Sequence, residues 1–274
     1  MQYPAWLTVP LYKTVLGISG NRGLHTIARW DSRLFPMARS LAVAPGSPLR
    51  LHLPAHPHFI GYVLGNHEPH ILSAIRDCLP VGGTYVDVGA NLGYFCVHAA
   101  HQLGPSGSIY AFEPNRENFA LLESNRMSLK NHANVTTYKE GVSRAEGTAE
   151  LSLGPHSTYH SLERRFDSGA TESVPITTLD AWFAKTGVSR IDLLKIDVEG
   201  HEPAVLEGAS KSIAEGRIKS IVLECREQAI RDLIPQLCSQ NGYKPFIWER
   251  NSWRPPKSLP LGDSVLDCLL RLDP

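Results

Sequence analysis

The sequence has no net charge and no long apolar run. Its 27 basic residues are balanced by 27 acidic ones over 274 residues, so no field of one sign favours nucleic acid or an anionic membrane surface. No apolar stretch reaches the ~20 residues that a membrane-spanning helix needs, so no membrane insertion is expected. Cysteines are few. Cys78, Cys96, Cys225, Cys238 and Cys268 are odd in number and widely spaced, with no Cys-x-x-Cys pair. That pattern supplies neither a zinc site nor a disulfide framework and points to free thiols in a reducing compartment. The N-terminal segment lacks a basic cluster and is broken by Pro4 and Pro10, so it does not form a secretory signal. A soluble cytoplasmic protein with a small-molecule partner is expected.

What is present centres on Thr84–Phe95, TYVDVGANLGYF. Thr84, Tyr85, Val86 and Val88 suit a buried strand. Gly89 and Gly93 then turn the chain into a helical pattern. A glycine turn admits a ligand close to the backbone, and a helix start offers free N–H groups. Asp87, inside the strand, suits a cationic or hydroxyl-bearing ligand better than a diphosphate.

Around this stretch strands and helices alternate, which predicts a mainly parallel sheet covered on both faces. Helices are expected at Leu11–Leu16, Leu24–Trp30, Glu68–Cys78, Gly93–Leu103, from Asn115 onward, Thr178–Lys185, from Pro203 to Ala214, and Ala229–Cys238. Strands are expected at Leu49–Leu53, Phe59–Leu64, Ser108–Phe112, Val135–Glu140, Thr148–Leu153, Ile191–Asp197 and Ile218–Glu224. Tyr243–Trp248 and Ser264–Leu272 read as an antiparallel pair at one edge. Thr177–Asp180 has the spacing of a capping box. The polar stretch Gly154–Ser173 reads as a long functional loop. The histidines at 52, 56, 58, 67 and 70 are irregularly spaced and interrupted by Pro54 and Pro57, so no metal site is expected there.

In open α/β sheets, ligands bind beyond the carboxyl ends of the strands. Asp87–Gly93, Glu113, Glu140–Ser143 and Asp197–Glu202 all fall at such ends. Glu113 lies about twenty residues past the glycine turn, where an acid accepts hydrogen bonds from ribose hydroxyls. A nicotinamide-dependent oxidoreductase shares these features, but Asn91 replaces the second glycine of its fingerprint and Asp87 opposes a diphosphate. A non-catalytic binding module is a further alternative. Asp197 continues an apolar strand and is poorly explained as a solvated turn. His201 shares its turn, and His160 sits on the long loop. These three are the candidate catalytic residues.

TYVDVGANLGYF, YAFEPN at 110–115, TTLDAW at 177–182 and DLLKIDVEGHEPAVLEGA at 192–209 resemble the FkbM family of S-adenosylmethionine-dependent methyltransferases, over roughly Gly65 to Glu224. The resemblance implies a class I methyltransferase (Rossmann-like) α/β fold. That fold is a seven-stranded mixed sheet in the order 3-2-1-4-5-7-6 with helices on both faces, here spanning 65–274 after an N-terminal extension, 1–64. It implies S-adenosylmethionine as cofactor. Asp87, Gly89, Asn91 and Gly93 would hold the methionine part and the turn, with Glu68 on the entry helix. Glu113 would bind the ribose, with Pro114 and Asn115 beside the adenine and Gly141, Val142 and Ser143 against its edge. Asp197 would face the methionine amino end and the acceptor. The expected reaction is O-methylation of a sugar or natural-product hydroxyl, with N- or C-methylation as the alternative and no metal required.

Overall fold

The computed structural model describes residues 41–44, 47–49, 62, 67–129, 132–154, 159–167, 169–259, 261–262 and 267–272. Strands β1 (Leu41–Ala44) and β2 (Ser47–Leu49) pair antiparallel with each other. The helices expected at Leu11–Leu16 and Leu24–Trp30 lie outside the described residues, as do His52, His56 and His58. So does most of the expected strands Leu49–Leu53 and Phe59–Leu64; Leu49 ends β2, and Tyr62 is helical rather than extended.

The chain then runs α1 (Pro69–Cys78), β3 (Thr84–Val88), α2 (Tyr94–Leu103), β4 (Ser108–Phe112), α3 (Arg116–Ser128) and β5 (Asn134–Tyr138). Next come β6 (Gly141–Val142), β7 (Gly147–Ser152), β8 (Thr171–Thr177), α4 (Leu179–Thr186), β9 (Leu193–Ile196), α5 (Glu202–Glu207) and α6 (Ser210–Ala214). It closes with β10 (Ser220–Glu224), α7 (Gln228–Asn241), β11 (Tyr243–Glu249), β12 (Ser252–Arg254) and β13 (Asp267–Leu272).

The large sheet has the order β12-β11-β13-β10-β9-β3-β4-β5. Strands β5, β4, β3, β9 and β10 are mutually parallel, and β13 lies antiparallel between β10 and β11. Without β12 this is the expected seven-strand order. The eighth strand is a correction with a local cause: Arg250 and Asn251, with φ of 49° and 59°, make a two-residue hairpin that folds β12 back on β11. A three-stranded sheet, β6-β8-β7, stands apart. It shortens the expected loop, because the last residues of Gly154–Ser173 join β8 and pair with β7. The alternation in β8 is weak, with Pro175 inside the strand, so nothing in the pattern marks it.

Side-chain alternation along β3 separates two cores. Tyr85 packs with α1 and α2 on one face, while Val86 and Val88 join residues of α4, α5 and α7 on the other. Asp87 shares the Tyr85 face and is buried.

Caps locate the helix starts. Asn115 accepts the N–H of Glu117 and Asn118, each at 3.1 Å, at the start of α3, a cap contributing about 1 kcal/mol. In α4 the cap is Thr178 rather than Thr177, its hydroxyl accepting from Ala181 N–H at 3.0 Å. Asp180 is not the reciprocal acid of that cap. It accepts the N–H groups of Lys211 and Ser212 at 3.0 and 2.9 Å, capping α6 from outside. That external cap allows the helix expected from Pro203 to Ala214 to break in two at Gly208 and Ala209. Gly208 packs so tightly that a Cβ there would lie 2.0 Å from the Ser143 carbonyl oxygen. Among the described residues no helix is long and apolar enough to cross a membrane.

Candidate functional site

The sheet order reverses between β3 and β9, and the two turns that follow these strands meet there. Gly89 has φ +79°, and a Cβ on it would lie 1.9 Å from the Asp197 carbonyl oxygen. Only glycine lets the two turns approach so closely. Above them opens a cavity of about 170 Å³ that continues into an open mouth.

Glu68, Gly89, Asn91, Glu113, Pro114, Gly141, Val142 and Asp197 line this cavity, as do His160 and His201. Asp87, Gly93, Asn115 and Ser143 do not. Asn115 is occupied as the α3 cap and donates to Glu172 Oε2 at 3.0 Å. Gly93 begins α2 with φ 87°.

Asp87 does meet a cation, but the cation belongs to the protein. Lys195 stands opposite it in parallel register on β9. Its ammonium lies 3.1 Å from Asp87 Oδ1, 3.5 Å from Asp197 Oδ2 and 3.2 Å from the Gly89 carbonyl oxygen. Three donors thus face three acceptors, 5.3 Å from the centre of the Phe95 ring. Burial alone would favour neutral Lys195, yet Asp87, Asp197 and Glu68 together raise its pKa above the ordinary lysine range. Lys195 therefore ties the glycine turn to the Asp197 turn as a permanent charge.

Glu113 closes β4 almost fully buried. Its Oε2 accepts Asn91 N–H at 2.8 Å and its Oε1 accepts Asn115 N–H at 2.9 Å. Burial pushes its pKa up to about 7, against these hydrogen bonds and the Asn118 side chain. A carboxylate offers about four acceptor sites, so it retains capacity for a ligand hydroxyl. At the other side, Glu68 is pushed up to about 7 by burial and by Asp197.

Backbone strain marks the same place. Five described non-glycine residues have positive φ. Arg250 and Asn251 make the hairpin, and the other three, Glu68, Asn91 and Glu199, all line the cavity. Such conformations cost on the order of 1–3 kcal/mol each and cluster at working sites.

His201 is buried between two partners, with Nδ1 2.7 Å from Glu163 Oε1 and Nε2 2.9 Å from Ser143 Oγ. The carboxylate places the proton on Nδ1, so Nε2 accepts from the serine hydroxyl. Burial, outweighing Glu163, lowers its pKa. Nearby, Arg164 reaches Glu199 at 3.0 Å and Glu227 at 2.9 Å, and Ser161 Oγ donates to the Glu199 carbonyl oxygen at 2.9 Å. His201 therefore belongs to the set of contacts that holds the 159–167 segment against the 197–202 turn. His160 accepts Gly154 N–H at Nδ1, 3.2 Å away, and burial lowers its pKa too.

Residues 87–245 match the family profile described as the methyltransferase FkbM domain. The chain belongs to the FkbM methyltransferase family. Methyltransferase sdnD of Sordaria araneosa is 27% identical over 208 residues, covering 65% of this chain and 79% of that protein. The 31-O-demethyl-FK506 methyltransferase FkbM of Streptomyces tacrolimicus is 28% identical over 174 residues, 53% of this chain and 66% of that one. The hexuronic acid methyltransferase AglP of Haloferax volcanii is 26% identical over 128 residues, 46% and 50% of the two chains. This FkbM-family chain is an S-adenosylmethionine-dependent methyltransferase with the class I sheet order.

Sequence reasoning missed part of the cavity lining. Tyr62, His67, Tyr94 and Phe95 form an aromatic wall of the cavity. Tyr94 and Phe95 end the TYVDVGANLGYF stretch, but Tyr62 and His67 come from well before it, and no spacing marks the four as one wall. Glu224 also lines it; the strand-end rule that picked out Glu113 and Asp197 would have found it at the end of β10.

Proposed function

We propose that this chain methylates a hydroxyl of an uncharged sugar or natural product. The observation that carries this reading is one continuous cavity with Glu113 at the end of β4 and Asp197, Glu199 and Glu224 beyond β9 and β10. In this reading Glu113 binds the ribose hydroxyls. Pro114, Gly141 and Val142 flank the adenine, and Glu68, Gly89, Asn91 and Asp197 surround the methionine end. Asp87 and Gly93 support that end from behind, Asp87 through Lys195. Ser143 acts through His201, and Asn115 through the α3 cap. The bound cofactor supplies a methyl group on a cationic sulfur. The protein aligns the acceptor with it and excludes water. Asp197, about one-third exposed, orients the acceptor and the cofactor's ammonium. The neutral His201 ring holds the wall, and His160 faces the cavity from the loop.

Outside the family motifs the cavity is lined by Tyr62, Tyr159, His160 and Leu162, which we assign to the acceptor side. Six carboxylates line the cavity, at 68, 113, 140, 197, 199 and 224, against Lys195 and Arg226. Once ionised, that lining suits the cationic cofactor and repels an anionic acceptor; burial pushes Glu68, Glu113 and Glu199 up to about 7 and Glu224 up to about 8, so the discrimination grows as pH rises through that range. Relatives carry names indicating both a natural-product hydroxyl and a hexuronic acid as acceptors; the acid-rich lining favours the uncharged kind. The five free thiols suit the cytoplasm as its compartment.

The test is transfer of labelled methyl to a panel of neutral glycosides, uronic acids and amines. The expected result is O-methyl product from neutral acceptors and at least ten times less from their carboxylated counterparts. Product only from amines would make the enzyme an N-methyltransferase, and cofactor binding without product from any acceptor would leave a binding module.

Glu113 makes cofactor binding pH-dependent. Ribose hydroxyls donate to the ionised carboxylate, and its pKa is about 7 in the free protein. Binding therefore requires loss of a proton below pH 7. S-adenosylhomocysteine affinity is expected to be constant above that pH and to fall by up to about tenfold per unit below it. The stability sign is opposite: a carboxyl raised above its unfolded value stabilises the free protein at low pH, and that contribution is lost as pH rises through 7. Calorimetric titrations from pH 5.5 to 8.5 measure the first effect; a pH-independent affinity contradicts it.

A further inference from the structure

Glu224 closes β10, next to β9, with Leu223 in register with Ile196. It stands beside Asp197 at the carboxyl edge of the sheet and lines the cavity with a side chain only 15% exposed. The neighbouring carboxylates are occupied. Glu202 Oε1 takes the N–H of Val198 at 3.1 Å and of Gly200 at 3.3 Å. Glu199 holds Arg164, Asp197 faces Lys195, and Glu113 accepts two backbone N–H groups. Glu224 has one ionic partner, Arg226 Nε at 2.7 Å from Oε1. Its other oxygen takes no hydrogen bond from the described residues.

We propose that Glu224 is the general base that takes the proton from the acceptor hydroxyl. This rests on the O-methyltransfer reading above. The O–H bond breaks to Glu224 as the acceptor oxygen bonds to the methyl carbon. The carbon–sulfur bond breaks with its electron pair left on sulfur, which discharges the sulfonium. The neutral carboxyl then returns its proton to water. Arg226 orients Oε1 and leaves Oε2 to the substrate. A free carboxylate is an ordinary, weak base, but burial first, and then the charge of Asp197, push this one up to about 8. A carboxyl titrating so near neutrality is suited to proton transfer.

Several charged groups face it. Asp197, Glu199 and Glu202 come from the turn after β9, Arg164 from the 159–167 segment, and Arg226 from the end of β10. Asp267 stands opposite on β13, paired with His70 at 3.2 Å.

The experiment is Glu224→Gln, with Glu224→Asp beside it, in the full chain. For Glu224→Gln the expected turnover falls by about 10²–10⁴-fold, with S-adenosylhomocysteine affinity within about twofold of wild type. Measured for the acceptor at saturating cofactor, so that Glu113 is held ionised, the acid limb of the kcat/KM profile should vanish in Glu224→Gln and persist in Glu224→Asp. In the ligand-free wild type, infrared difference spectra should show a carboxyl titrating near 8 that Glu224→Gln lacks. Near-normal turnover in Glu224→Gln, an acid limb that survives it, or loss of cofactor-product affinity that accounts for the lost rate would each overturn the assignment alone. A wild-type enzyme that methylates no hydroxyl would overturn the underlying reading with it.

Discussion

Lys195→Met is expected to lower stability by about 3–5 kcal/mol, the usual cost of stripping one partner from a buried ion pair. Lys195 is 1% exposed and Asp87 is 0% exposed. With the ammonium gone, the Asp87 carboxylate retains the neutral Tyr85 hydroxyl and Cys96 thiol, the latter at 3.4 Å from Oδ2, and no positive charge in contact with it. Neutralising both partners, as Asp87→Asn with Lys195→Met, should recover most of the loss, because the isolated charge rather than the missing pair is the costly species. Urea unfolding of the two variants measures this. A Lys195→Met protein as stable as wild type would mean that Asp87 is not ionised there, and the link between the two turns would have another cause.

Asp197→Ala is expected to cut methyl transfer by about 10²-fold or more, the loss that misplacing the reacting groups brings, while leaving the fold intact. The side chain is about one-third exposed, and Lys195 keeps Asp87 and the Gly89 carbonyl without it. The contrast with Lys195→Met is the useful part: one residue of the cluster positions, the other holds the structure. Single-turnover kinetics beside a melting curve separates them. Near-normal turnover in Asp197→Ala removes Asp197 from the machinery.

The parallel core was legible because each strand is a short apolar run ending at a polar residue, and those ends must gather on one edge of the sheet. Glu113 and Asp197 were found that way. Asp87 was legible as a carboxylate in need of a cation but not as one already supplied, because the partner is 108 residues away and only strand register brings it opposite. Strand alternation puts Lys195 on the Asp197 face, yet its burial against Phe95 depends on α2, which comes much earlier in the chain. His201 was read as a candidate catalytic residue from its place on the Asp197 turn. Its two partners, Glu163 and Ser143, come from a loop and from the residue after a two-residue strand, which no periodicity reveals. β12 was hidden because neither Arg250 nor Asn251 is glycine, so nothing signalled the positive φ that forms its hairpin.

The central claim is that one cavity holds the methyl donor between Glu113 and Asp197 and opens toward Glu224. A crystal structure with S-adenosylhomocysteine tests it most directly. The account predicts the ribose hydroxyls on the Glu113 carboxylate, the amino-acid end between Glu68 and Asp197, and Glu224 facing the open space beyond the sulfur. A nucleoside bound away from Glu113, or a sulfur pointing away from Asp197 and Glu224, would contradict it.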